Sequence, residues 1–97
     1  MDKPHYVYIL TNQRHTVLYT GETADIPQRT FRHQSGYYPN AFTKKYNVNI
    51  LVYYEEHQDK DSAKNREKRL KRWHHDWKAK LVNDFNQNWH DLGLQLS

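Results

Sequence analysis

The sequence predicts an α+β fold whose elements follow the order β-β-α-β-α-α. Two short segments rich in β-branched and aromatic residues, VYIL and VLY, flank the polar stretch TNQRHT, which has the length of a hairpin loop. A third apolar run, ILVYYE, predicts another strand, and capping residues with helical spacing mark helices before and after it. Neither a repeat nor a long linker divides the chain. We therefore expect one domain over residues 1–97.

The hairpin is expected to place two tyrosines side by side. With its turn centred near residues 13–14, Tyr8 lies opposite Tyr19, and partners across an antiparallel pair share one face of the sheet. The opposite face would be the core face, holding Val7, Ile9 and Leu18.

The first helix is expected over residues 26–34. Asp25 is a suitable N-cap, Pro27 is tolerated in the first turn, and a serine and a glycine follow the end. Arg29 and His33 are four residues apart, so both side chains project from one side of this helix. Our hypothesis is one polar cluster that contains Tyr8, Tyr19, Arg29 and His33.

A loop rich in aromatic and basic residues is expected between this helix and the third strand. It includes Tyr37, Tyr38, Lys44, Lys45 and Tyr46. Aromatic rings interleaved with cations suit single-stranded nucleic acid, since bases stack on such rings. The alternative is that the tyrosines cover the edge of the sheet. The third strand, residues 50–55, contains a continuous apolar run before Glu55, which predicts burial on both faces, either as a central strand or between helices.

The second half predicts a helix with a break near His74 and one acidic residue on its apolar stripe. The stripe runs through Ala63, Glu67, Leu70, Trp73 or His74, Trp77 and Leu81. A carboxylate in that position is costly to desolvate without a positive partner. The partner is either an arginine, Arg29 or Arg66, or a divalent metal ion.

Composition limits the function. The chain lacks cysteine, which excludes disulfides and thiolate zinc sites, and it lacks an HExxH motif, a phosphate-binding glycine-rich loop and a serine nucleophile elbow. No apolar run approaches the roughly 20 residues needed to span a bilayer, and no signal-peptide pattern is present, so a cytoplasmic protein is expected. The net charge of +4 and the pI near 9.3 favour a polyanionic partner. Eight cations fall within residues 64–80.

These residues together form a pattern that resembles the GIY-YIG nuclease superfamily. The pattern comprises V-Y-I, then Y-T-G, an arginine ten residues after the second tyrosine, a histidine four later, A-x-x-R-E ending at Glu67, and an asparagine in NQNW. The chain looks most like the short stand-alone members. The resemblance implies a small three-stranded antiparallel sheet flanked by helices, and phosphodiester cleavage with one divalent metal ion, Mg²⁺ or Mn²⁺.

The resemblance also implies roles for individual residues. Tyr19 would act as general base or position the water, Arg29 would face the transition-state charge, and Glu67 would bind the metal ion. Tyr8 and His33 would orient the nucleophile or relay its proton. The substrate-binding or supporting residues would be Gly21, Asn86, Lys44, Lys45 and Arg66.

The motifs depart from the family pattern at three positions. Tyr6 stands where the first motif has glycine, and Thr20 and Glu22 replace the more usual apolar and small or basic residues. A carboxylate beside the phosphate path repels substrate, so Glu22 must face away or help hold metal.

The main expectation is a structure-selective or weakly specific DNA endonuclease in DNA repair or processing, with a protein partner that supplies targeting. The alternatives are a GIY-YIG scaffold that binds nucleic acid without cutting it, and a protein-interaction domain that uses the exposed aromatic residues.

Overall fold

The computed structural model describes residues 4–26 and 45–93. Within them lie three strands, β1 (His5–Thr11), β2 (Leu18–Thr23) and β3 (Ile50–His57), and two helices, α1 (Lys60–Lys71) and α2 (His75–Phe85). The strands form one antiparallel sheet in the order β2-β1-β3. The α+β class and the three-stranded sheet are confirmed. The helix expected over residues 26–34 and most of the loop after it lie outside the described residues.

The hairpin register differs from the prediction by two residues. Tyr8 lies opposite Gly21, and Tyr19 lies opposite Leu10. The loop is longer on its C-terminal side because Asn12 organises it: the Asn12 side-chain oxygen accepts hydrogen bonds from the backbone N–H groups of Thr16, at 2.8 Å, and of Val17, at 3.1 Å. An asparagine side chain that replaces backbone partners in this way is a common turn device.

A shift of two residues leaves every side chain on its expected face, because strand side chains alternate with a period of two. Val7, Ile9 and Leu18 lie on the face that meets the helices, as predicted. The tyrosine face is also part of the core. There Tyr8 and Leu10 pack with Ile26, Val48 and Leu51.

Strand β3 pairs only with β1 among the described strands, so the prediction of a central strand is wrong, while residues on both of its faces are buried as expected. Its register against β1 shifts between Ile9 and Leu10, which leaves Val52 as an extra residue. Such a bulge allows Val52 and Tyr53 to pack in the same cluster, while Leu51 packs on the opposite face. The bulge therefore explains how a continuous apolar run is used without exposing any of it.

Helix α1 begins at the N-cap Asp59, whose side chain accepts a hydrogen bond from the backbone N–H of Ser62 at 2.8 Å. It packs on the sheet through Ala63 and Leu70, which contact Val7. The predicted break near His74 is confirmed, because α1 ends at residue 71 and α2 starts at residue 75.

Helix α2 buries Val82 against Ile9 and Val52. The break turns the second helix, so the apolar stripe does not continue through it as predicted: Trp77 is 59% exposed. No helix among residues 4–26 and 45–93 combines the length and the apolar character needed to cross a membrane.

Candidate functional site

Tyr8 and Tyr19 meet on one face of the sheet. Their ring centroids are 6.4 Å apart and the ring planes are tilted by 45°. Tyr8 is only 3% exposed, whereas Tyr19 is partly exposed. The expected juxtaposition of two phenols therefore exists, although it arises diagonally across the hairpin and not from directly opposed residues. Tyr19 is the phenol that solvent and ligands can reach.

Gly21 is required by the position of Tyr8. The Tyr8 ring leans across from β1 onto β2, so that a Cβ atom on Gly21 would lie 2.5 Å from Tyr8 Cζ and 3.0 Å from Cε1. Any other residue here would collide with the buried ring. Because the ring leans over β2, the Tyr8 hydroxyl is carried toward the same strand that bears Tyr19.

The carboxylate of Glu22 faces away from the two phenols. Glu22 lies opposite Val7, whose side chain points to α1, so Glu22 shares that face of the sheet. It contacts the buried imidazole of His5 through His5 Nε2 and Glu22 Oε2. Glu22 therefore points away from the two phenols, on the face of the sheet that α1 covers.

Tyr6, which stands in the place of the first-motif glycine, borders the same face as Tyr8. Its ring packs against the Tyr8 core cluster. Its hydroxyl donates to Glu56 Oε1 across 3.5 Å. Desolvation, followed by the neighbouring Glu56 charge, raises the pKa of Tyr6 above its usual value.

Glu67 lies on the sheet-facing side of α1, between the buried Ala63 and Leu70. Its side chain is 18% exposed and forms an ion pair with Lys71, with 3.2 Å between Lys71 Nζ and Glu67 Oε1. The positive partner expected for this carboxylate is therefore a lysine one turn away. Arg66, one of the two arginines considered, pairs with Glu55 instead, at 2.8 Å from Nε to Oε1.

The environment of Glu67 fits a metal bound by one protein carboxylate. The Lys71 side chain is 52% exposed, so water would hydrate its ammonium group if a divalent cation took its place beside Glu67. Among residues 4–26 and 45–93 there is no group of three or more His, Asp or Glu side chains suited to a metal ion. A single carboxylate, with water and phosphate oxygens in the remaining positions, is the style that Mg²⁺ accepts.

A second polar network centres on Glu55 of β3, and sequence reasoning missed it. Its carboxylate accepts hydrogen bonds from the Tyr53 hydroxyl, at 3.0 Å, and from Arg66, and it lies 3.5 Å from His57 Nε2. Burial, with the neighbouring Glu55 charge, raises the pKa of Tyr53 to about 12. The alternation of Tyr53, Glu55 and His57 along a strand was the available signal, since residues two apart share a face.

Asn86 closes the turn after α2. Its side-chain N–H groups donate to the backbone carbonyls of Val52, at 3.1 Å, and His90, at 2.9 Å, and its oxygen accepts from the His90 N–H at 3.1 Å. The side chain is buried and both kinds of polar atom are engaged. This arrangement favours the supporting role expected for Asn86 over a contact with phosphate.

Three of the predicted site residues, Arg29, His33 and Lys44, lie outside the described residues. Lys45 is exposed, and its Nζ lies 5.4 Å from the centroid of the Tyr46 ring. The structure thus brings Tyr8, Tyr19 and Gly21 together, and the complete cluster with Arg29 and Glu67 stays a prediction.

The GIY-YIG catalytic domain model matches residues 4–80, which is most of the chain. This protein belongs to the GIY-YIG family. Tyr8, Tyr19 and Gly21 all lie within the matched range. The family is nuclease-type, its substrate is nucleic acid, and its nucleases generally use divalent metal ions. Comparisons with curated proteins and with solved structures gave no match.

Proposed function

We propose that this GIY-YIG protein is a metal-dependent endonuclease that cuts phosphodiester bonds in DNA, with structural selectivity or weak specificity. The observation that carries the proposal is the Tyr8–Tyr19 pair packed over Gly21 in a chain that matches the catalytic domain. A role in DNA repair or processing, a cytoplasmic location and a targeting partner belong to the proposal.

In this mechanism Tyr19 acts on the attacking water as general base or positioning group, because it is the accessible member of the pair. Tyr8 is nearly enclosed, so it orients the nucleophile together with His33. A free phenol titrates near about 10, so a base role requires a nearby positive charge. Arg29 supplies that charge and faces the charge that develops on the phosphate in the transition state.

Glu67 is the residue that would hold the metal ion, which, when bound, supplies Lewis-acid stabilisation of the phosphate. Helix α1 packs on the face of the sheet opposite the phenols. It also contacts β2, which pairs only with β1 among the described strands. In this proposal Glu67 and Tyr19 meet at one site across the β2 edge.

Substrate binding is assigned to basic side chains. Residues 60–85 contain nine Lys and Arg against four Asp and Glu, a net charge of +5, whereas the rest of the chain sums to −1. Phosphate contacts of this kind give affinity and salt dependence without reading the base sequence. Lys44 and Lys45 extend this role. Arg66, which is held by Glu55, borders the bound strand, and Asn86 supports the fold beneath the site.

The test is cleavage of single-stranded, nicked and flapped DNA with Mg²⁺ or Mn²⁺. We expect metal-dependent cutting that disappears in Arg29→Ala and in Glu67→Gln. Arg14→Ala and Glu56→Gln serve as matched controls, because both are exposed residues outside the proposed site. Cutting that survives both site variants, in protein with unchanged circular dichroism, would refute the assignment.

The second candidate function is a GIY-YIG module that binds nucleic acid without cutting it. The favouring observation is Tyr6, whose bulky ring packs beside Tyr8 where the family has glycine. Under this alternative, binding falls steeply with salt and no product accumulates with any divalent ion. A Tyr6→Gly variant that gains turnover would identify the tyrosine as the cause.

A further inference from the structure

An exposed pair of tryptophans lies at the junction of α1 and α2, away from the tyrosine pair. Trp77 is 59% exposed, Trp73 is half-buried, and their ring centroids are 6.1 Å apart with the planes nearly perpendicular. They line a surface groove of about 370 Å³ together with Lys80, Leu81 and Asp84. A groove with two indole rings on its wall presents flat apolar surface to solvent, with polar residues at its rim, as ligand-binding grooves do.

Cationic side chains border this groove. Arg66 lies 5.2 Å from the centre of the Trp73 ring, in cation–π geometry. Lys80 lines the groove, and Asp84 is the acidic residue that the groove contains. Lys78, on the same helix, is half-buried, and burial together with the neighbouring Lys71 charge lowers its pKa.

We infer that this groove binds an unpaired nucleotide of the DNA substrate, with a base stacked on Trp77 and an adjoining phosphate held by Lys80. Single-stranded nucleic acid is recognised by aromatic rings interleaved with cations, because its bases can stack on the rings. Bases inside a duplex are already stacked on their neighbours, so their faces are not accessible. A docking site for an acidic protein would use the charge but not require planar rings. The inference rests on the proposed function, since it specifies that the DNA substrate of the nuclease contains a single-stranded segment.

The experiment measures binding without cleavage, using fluorescent oligothymidine of about 15 nucleotides and a blunt duplex of equal length, with EDTA present. The variants are Trp77→Leu, which keeps apolar area but removes the flat ring, and Trp77→Phe, which keeps a ring. Phe85→Leu is the matched control, because Phe85 is an exposed aromatic on the same helix that packs on Tyr53 and Tyr54 instead of lining the groove. Thermal unfolding of each variant checks the fold.

We expect Trp77→Leu to weaken single-strand binding about tenfold, which corresponds to about 1.4 kcal/mol, while duplex binding changes less than about twofold. Trp77→Phe should recover most of the loss, and Phe85→Leu should bind like the parent. An equal loss for both DNAs, or no loss, overturns the inference. Because these measurements involve no turnover, their outcome is separate from that of the cleavage test on Arg29 and Glu67.

Discussion

An alanine at position 21 tests whether the Tyr8 ring, and not the backbone, requires glycine there. Gly21 lies in β2 and does not have a positive φ, so its conformation suits any residue. At such a position Gly→Ala usually stabilises a protein by about 0.4–1 kcal/mol. The added Cβ would nevertheless lie 2.5 Å from Tyr8 Cζ, about 1 Å closer than the optimal separation of two carbon atoms.

Because Tyr8 is enclosed by the core, its ring cannot yield freely. Forcing extra volume into a packed core costs about 1–3 kcal/mol, so we expect Gly21→Ala to destabilise the protein by about 1–2 kcal/mol net. A loss of 1 kcal/mol lowers the Tm of a domain of this size by about 4–8 °C. A phenol displaced by about 1 Å should also reduce DNA cleavage about 100-fold.

The control is the same substitution in a Tyr8→Leu background. Leucine lacks the ring atoms that the new Cβ would meet, Oη, Cζ and Cε1. Gly21→Ala should there be neutral or stabilising, which gives a coupling of about 1–3 kcal/mol in a double-mutant cycle followed by urea unfolding. Equal destabilisation in both backgrounds, or none in the parent, would refute the steric explanation.

Three further predictions concern the structural networks. Tyr53 should titrate near 12 when followed by NMR of labelled tyrosines. Since the pKa of Tyr53 is raised in the folded state, its contribution to the free energy of unfolding should hold below pH 10 and fall between pH 10 and 12. A Glu55→Gln variant should lower the midpoint of the Tyr53 titration. Asn86→Ala should lower the free energy of unfolding in urea by about 2–3 kcal/mol because it removes the hydrogen bond to the buried Val52 carbonyl. Asn88 is exposed, so Asn88→Ala should have little effect, and an equally small loss for Asn86→Ala would contradict the explanation. Asp59→Ala should cost about 1 kcal/mol and Asp59→Asn much less, since both native and amide side chains cap α1.

The parts of the fold that could be predicted are those set by local periodicity. Three strands, two helices and the break before α2 follow from runs of apolar residues and from their interruption at residues 72–74. The hairpin register could not be predicted, because it depends on which backbone groups the Asn12 side chain satisfies. The bulge at Val52 is invisible in sequence for a related reason: an apolar run has no preferred face until its neighbours exist.

The same distinction applies to the candidate site. The prediction that Tyr8 and Tyr19 share a face was correct although the predicted hairpin register was wrong, since a shift of two residues leaves each side chain on the same face. The partner of Glu67 could not be predicted among several nearby cations, because Arg66 is drawn to Glu55, a residue eleven positions earlier in the chain. Local spacing identifies which residues share a face, whereas the choice between ionic partners depends on the packing of α1 against β3.

The sheet geometry also restricts where a nuclease site can form. The phenols lie on one face and the residues that anchor α1 contact the other, so a site that uses both Tyr19 and Glu67 must form at the edge of the sheet. Among the described strands β2 provides that edge, and Tyr8 reaches toward it from the central strand only because Gly21 leaves room for its ring. Gly21 thus leaves room for the Tyr8 phenol of β1 to reach the rim of β2, and the charge of Glu22 lies on the other face, against His5.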